Sequence, residues 1–124
     1  MTERPTRQEQ AQAILHLRAR KLASRTLGRT ATNTADFAEA FNLERVDLLT
    51  EISDPATLLS LGRNVSGPRD GLYVIDDAGS YRVYVQERGE VYGEVAGADF
   101  DEARNAVIDH LIQLQGIPYR PPGA

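Results

Sequence analysis

The sequence contains no cysteine and no tryptophan, and only two of its 124 residues are histidine. The lack of cysteine excludes disulfide bonds, thiolate metal sites and cysteine nucleophiles. No apolar run approaches the length of about 20 residues that a membrane-spanning helix needs. No apolar segment follows the charged N-terminus MTERPTRQEQ, so we expect no secretory signal. These absences predict a cytoplasmic protein that has no membrane partner.

Catalytic motifs are also missing. The sequence has no HExxH, GxSxG, GxGxxG or phosphate-binding loop. His16 and His110 lie on predicted helices at opposite ends of the chain, and we expect His110 to be a partly buried structural residue. Most carboxylates of the second half fall at hairpin loops or in a first helical turn, where solvation and the helix dipole favour them. We therefore expect no enzymatic activity, no metal site and no cofactor.

Charge is divided unevenly along the chain, whose net charge is −4. Residues 1–30 carry a net charge of +5, and residues 31–124 carry −9. Such a division bears on partners and on association rates rather than on the fold. Either the two regions attract oppositely charged partners, or they lie against each other.

Hydrophobic periodicity predicts an α+β fold: N-terminal helices followed by a three-stranded antiparallel meander and a C-terminal helix. The length suits a single domain, 1–124. We divide it into a helical half, a loop, a β-β-β-α half and a flexible tail, at 1–62, 63–70, 71–118 and 119–124.

Four helical segments are expected in the first half. The longest is one continuous helix over Gln8–Leu27, ended by Gly28. Asn33 or Thr34 caps the second, NLERVDLLTEI forms the third, and the fourth has Asp54 at its N-cap and Pro55 at its first position. In the second half, Asp99 and Glu102 form a capping-box-like pair at the start of the last helix, which has Leu114 in its buried stripe.

The register of the predicted meander decides which side chains share a face. A loop over residues 77–80 pairs Val74 with Val83 and Tyr73 with Tyr84. A three-residue loop, Glu87–Arg88–Gly89, would pair Tyr84 with Tyr92. One face then collects the aliphatic residues Leu72, Val74, Val83, Val85, Val91 and Val95, which the C-terminal helix would cover.

The opposite face would carry a row of three tyrosines. Tyrosine tolerates either burial with a satisfied hydroxyl or half-exposure at an interface. Two interpretations stay open: the N-terminal helices cover the row, or the row is a recognition surface with a charged rim. The candidate partner-binding residues are Tyr73, Arg82, Tyr84, Glu87, Arg88, Glu90, Tyr92 and Glu94, with Arg82 and Glu94 as a cross-strand ion pair.

The β-β-β-α half contains YRVYVQERG at residues 81–89, then Phe100 and Ala103 at the start of the last helix. In this it resembles small α+β immunity proteins of bacterial polymorphic toxin and contact-dependent inhibition systems. The matching residues are Tyr81, Val83, Tyr84, Glu87, Arg88, Gly89, Phe100 and Ala103, within about residues 71–115. The resemblance implies a non-enzymatic inhibitor that binds a cognate toxin domain in the cytoplasm. It indicates neither the toxin's activity nor an oligomeric state.

The alternative function is a small regulatory protein that binds DNA or RNA. FAEAFNLERVDLLTEI loosely resembles a helix-turn-helix, with Asn42 where glycine is usual. Its second helix carries Glu44, Asp47 and Glu51 against a single Arg45, the wrong sign for a phosphate backbone. The basic N-terminal helix could contact nucleic acid, but it has no interleaved aromatic residues. We therefore expect no nucleic-acid partner.

Overall fold

The computed structural model describes residues 3–123 and confirms the α+β class. Within that range, five helices precede a three-stranded antiparallel sheet and a sixth follows it. The elements are α1 Arg7–Leu15, α2 Ala19–Leu27, α3 Thr34–Ala40, α4 Arg45–Glu51, α5 Pro55–Ser60, β1 Gly71–Asp77, β2 Ser80–Glu87, β3 Glu90–Ala98 and α6 Phe100–Gln115. None of the helices over residues 3–123 is long and apolar enough to cross a membrane.

The chain divides into two compact units. The first contains the described residues through Glu51 together with those from Ile112 onward, and the second is Ile52–Leu111. α5 therefore belongs with the sheet, although its sequence reads as part of the helical half.

The continuous helix predicted over Gln8–Leu27 is wrong, because the helix breaks at residues 16–18. Leu17 has a φ of 60°, and the amides of Leu17 and Arg18 donate to carbonyls in the last turn of α1 at 3.4 and 2.7 Å. This is the Schellman pattern of a helix end, with leucine at the left-handed position that glycine usually occupies. A left-handed backbone costs an L-residue about 1–2 kcal/mol. No glycine or proline marks the break in the sequence, so periodicity alone could not find it.

Gln10 joins α1 to the segment between α3 and α4 in the first unit. It is fully buried, yet its amide is satisfied. Its Oε1 accepts hydrogen bonds from the amides of Asn42 and Leu43 at 2.8 and 2.9 Å, and its Nε2 donates to Asn42 Oδ1 at 2.8 Å. A buried amide whose partners are all present holds the two segments in one arrangement.

The local signals at the starts of α3, α5 and α6 are confirmed. Asn33 accepts a hydrogen bond from the Asp36 amide in a capping box before α3, and Asp54 caps α5. The Glu102 amide donates to Asp99 Oδ1 at 2.8 Å, and the Asp99 amide donates to Glu102 Oε1 at 3.2 Å. These caps satisfy backbone donors that a helix leaves without partners.

The C-terminal tail makes specific contacts in the first unit, although the sequence predicts a flexible tail over 119–124. The Tyr119 hydroxyl donates to the Leu43 carbonyl at 3.0 Å, and the Arg45 amide donates to the Pro122 carbonyl at 2.8 Å. Ala124 lies outside the described residues.

The three strands have the order β1-β2-β3. The predicted register between β1 and β2 is confirmed, with Val74 opposite Val83 and Tyr73 opposite Tyr84. The predicted register between β2 and β3 is wrong: Glu87 pairs with Glu90 and Val85 with Tyr92, so the loop is two residues long.

Glycines in β3 then shift the register twice. The pairing moves by one residue between Val85 and Val83 and again between Val83 and Tyr81. Gly93 and Gly97, at φ 57° and 64°, supply the left-handed backbone that such bulges use. α6 also contacts the backbone of β3, because His110 Nε2 donates a hydrogen bond to the Gly93 carbonyl at 2.9 Å. His110 is thus partly buried and structural, as the sequence predicts.

α6 contacts one face of the sheet within the second unit. The Tyr81 and Phe100 rings meet edge-on with centroids 6.4 Å apart, on the face that carries the buried Val74 and Val83. Leu114 is 47% exposed, which corrects its placement in the buried stripe.

Candidate functional site

The three tyrosines of the predicted row do not share a face. Tyr73 and Tyr84 are adjacent and stacked, with ring centroids 4.8 Å apart and planes 6° apart. Only 1% of Tyr73 and 3% of Tyr84 is exposed. Tyr92 lies opposite Val85 on the other face and is 48% exposed. The pair is therefore part of the core of the second unit, and only Tyr92 is available to a partner.

The cover over Tyr73 is the loop over residues 63–70, a possibility outside both sequence-based interpretations. The Tyr73 hydroxyl donates towards the Arg69 and Gly67 carbonyls at 2.6 and 3.1 Å. Gln86 Nε2 reaches the same carbonyls at 3.2 and 2.9 Å. We call residues 63–70 the strap, because they pass over Tyr73 and are held at several points.

Both ends of the strap are attached to the sheet. Arg63 forms a parallel bridge with Tyr73: its amide donates to the Leu72 carbonyl at 2.8 Å, and the Val74 amide donates to its carbonyl at 2.9 Å. At the other end, Asp70 Oδ1 accepts a hydrogen bond from the Arg88 amide at 2.9 Å. The strap therefore pairs with the outer side of β1 at Arg63, in addition to covering Tyr73.

The predicted pair of Arg82 and Glu94 forms, even though the register around it differs. The Arg82 guanidinium bonds to the Glu94 carboxylate and lies over the Tyr84 ring, 4.7 Å from its centroid. The hydrogen bond to Glu94 raises the pKa of Arg82. Both side chains are partly exposed, so the pair contributes little to stability and stays accessible at the sheet surface.

The remaining predicted site residues come together at the β2–β3 hairpin and along β3. Glu87, Arg88, Glu90, Tyr92 and Glu94 are all exposed. Val91 joins them at 44% exposure, although its predicted register placed it on the buried face. β3 is an edge strand, and no other described strand pairs with its outer side. We define the acidic hairpin surface as Glu87, Glu90 and Tyr92, which the register places on one face of the hairpin, whereas Val91 lies on the other.

The chemistry of the acidic hairpin surface suits binding. The Tyr92 hydroxyl donates to Glu90 Oε2 at 2.7 Å, and this hydrogen bond raises the pKa of Tyr92. Tyr92 is thus exposed beside the Glu90 carboxylate, with Glu87 paired opposite Glu90, whereas the neighbouring Val91 side chain points to the opposite face of the strand. Among residues 3–123, no group of three or more carboxylate or imidazole side chains is placed to hold a metal ion.

The segment compared with a helix-turn-helix forms α3 and α4, joined by four residues. Glu44, just before α4, accepts a hydrogen bond from Arg7 at 3.0 Å, and Asp47 forms a longer ion pair with the same guanidinium at 3.8 Å. Two acidic residues of the would-be recognition helix thus form ion pairs with Arg7 within the first unit, and nothing in this geometry favours the binding of a phosphate backbone.

Comparison of the chain with protein-family models, with curated proteins and with solved structures gives no match.

Proposed function

We propose that this protein is an immunity protein that binds and neutralises a cognate bacterial toxin domain in the cytoplasm. The observation that carries the proposal is the acidic hairpin surface: on an edge strand, the exposed Tyr92 ring lies beside the Glu90 carboxylate, with Glu87 paired opposite Glu90. The resemblance of residues 71–115 to small α+β immunity proteins supports it independently. No catalytic step is assigned to the chain.

The arrangement suits a basic partner. Carboxylates around an apolar centre raise the rate of encounter with a positively charged surface and orient it, whereas the apolar centre supplies most of the affinity. Tyr92 is the natural centre, because tyrosine offers a large contact area with few torsions to immobilise. The outer edge of β3 also offers backbone groups with which an extended partner segment could pair.

The proposed partner is the variable C-terminal domain of a large secreted protein encoded immediately upstream. Co-expression with that domain should restore growth, and the two proteins should co-purify. Tyr92→Ala should keep its fold and lose roughly thirtyfold in affinity, as hot-spot truncations do. Glu90→Gln should mainly slow association and weaken its dependence on salt.

Two control variants separate binding from folding. Leu114→Ala removes an apolar side chain that is 47% exposed, close to the 48% of Tyr92, and this variant should bind normally. Tyr84→Ala removes a buried ring and should destabilise the protein by about 3–5 kcal/mol. Normal toxin binding and growth rescue by Tyr92→Ala would refute the site. Failure of the unmodified protein to bind any neighbouring toxin domain, together with a mobility shift of DNA at physiological salt, would refute the function.

A further inference from the structure

The break between α1 and α2 borders a groove of about 680 Å³ in the first unit. Its lining includes Arg18, Lys21 and Arg25, all exposed, together with His16. Among residues 3–123, no ion pair involves Arg18 or Lys21. The groove is thus a concentration of cationic side chains in a chain whose net charge is −4.

Leu17 is not part of the lining but borders the groove, because it lies in the chain between two lining residues, His16 and Arg18. It is 59% exposed, and its backbone is left-handed, at a φ of 60°. Glycine would satisfy this helix end without strain. The leucine therefore adds backbone strain while burying little of its side chain, and an observed strain of this kind is grounds for a functional hypothesis. An apolar anchor beside cationic side chains fits a ligand that is both apolar and negatively charged.

We propose that the α1–α2 groove is a second docking site, which takes an acidic protein segment carrying an apolar side chain. The apolar side chain packs against Leu17, and carboxylates of the segment pair with Arg18, Lys21 and Arg25. A volume of about 680 Å³ lies within the range of roughly 300–1,000 Å³ over which proteins enclose ligand groups, and is enough for a few side chains. This site is separate in residues and opposite in charge from the acidic hairpin surface, so it does not depend on the function proposed above.

The groove fits a protein segment better than a nucleic acid. Its described lining contains no Phe, Tyr or Trp ring on which a base could stack, and its His16 imidazole bonds to Gln12. Glu9 is itself part of the lining, and Glu51 contacts Gln12 there. A continuous phosphate backbone would meet these carboxylates, whereas a short segment can place its charges away from them.

The test is fluorescence anisotropy on the full chain with three labelled probes. They are a short peptide that alternates leucine with glutamate, the same peptide with glutamine in place of glutamate, and a short DNA duplex. We expect the acidic peptide to bind at least about fivefold more tightly than the neutral one in about 50 mM salt, and to weaken as salt rises to about 300 mM. Equal binding of the two peptides, or tighter binding of the duplex, would overturn the proposal.

Three variants localise the binding. Lys21→Glu should weaken the acidic peptide about fivefold or more, whereas Arg120→Glu, an equal change of charge at an exposed tail residue, should have less than about a twofold effect. Leu17→Gly should melt no lower than the unmodified chain and still lose affinity for the peptide. Unchanged affinity in Leu17→Gly and Lys21→Glu would overturn the proposal. Tyr92→Ala should leave peptide binding unchanged, so the two proposed sites can fail separately.

Discussion

The strap and the tyrosine pair are held by two donors that share the same acceptors. Tyr73 Oη lies 2.6 Å from the Arg69 carbonyl and 3.1 Å from the Gly67 carbonyl. Gln86 Nε2 lies 3.2 and 2.9 Å from the same two oxygens. Either donor alone can keep the strap on the sheet, so removing one should be buffered by the other.

Single substitutions should therefore cost little, and the double substitution more than their sum. Tyr73→Phe keeps the ring stacked on Tyr84 and loses one hydrogen bond, about 1 kcal/mol. Gln86→Met should cost a similar amount. In the double variant the ends of the strap stay attached at Arg63 and Asp70, but its middle loses both donors over Tyr73, so we expect an interaction free energy of at least about 0.5 kcal/mol.

Urea unfolding followed by circular dichroism gives the free energies of unfolding of the unmodified chain, the two single variants and the double variant, and thermal melts of the same four proteins give their melting temperatures. For 124 residues, 1 kcal/mol corresponds to a shift of about 4 °C in melting temperature, so the double variant should melt about 10 °C lower. Tyr92→Phe is the control: its hydroxyl bonds to Glu90 on the exposed strand, and its loss should cost less than about 0.5 kcal/mol. Additivity within about 0.3 kcal/mol would refute the shared-acceptor account.

Two further predictions concern acid stability and the strand bulges. Hydrogen bonds from the Thr32 amide and the Arg29 side chain lower the pKa of Asp36 from 3.8 to about 2. Because the pKa of Asp36 is lower in the folded state, this stabilisation is present above the unfolded-state pKa and is lost as pH falls through the folded-state pKa. Urea unfolding of the unmodified chain and of Asp36→Asn should therefore show a difference in the free energy of unfolding that closes from about pH 5 to about pH 2. Gly93→Ala should destabilise by about 2–4 kcal/mol, since a Cβ there would overlap the His110 ring as well as strain the backbone. Gly97→Ala, with a similar φ and nothing within 4 Å of the added carbon, should cost only about 1–2 kcal/mol, and equal losses in the two thermal melts would contradict this reasoning.

Much of the candidate site could be read from the sequence at the level of composition. The hairpin, its carboxylates and the pair of Arg82 and Glu94 follow from alternation and a glycine-containing loop. Which tyrosine is exposed did not follow, because a two-residue loop and a three-residue loop at Arg88–Gly89 differ by one position and exchange the faces of β3. Val91 was missed for the same reason. A glycine two residues after Val91, suited to a bulge, was the one available signal.

By itself the sequence determined the α+β class, the register of Val74 with Val83, and the caps at Asn33, Asp54 and Asp99. Each of these depends on residues close together in the chain, whose hydrogen bonds or alternation need no distant partner. Only the tertiary structure decided the break at Leu17 and the strap over Tyr73. The break is bridged by Gln115, whose side chain bonds to the Ile14 carbonyl and the Ala19 amide, and the strap is held by Gln86 and Arg88 of the hairpin as well as by Tyr73. These contacts with residues distant in sequence outweigh local backbone preference.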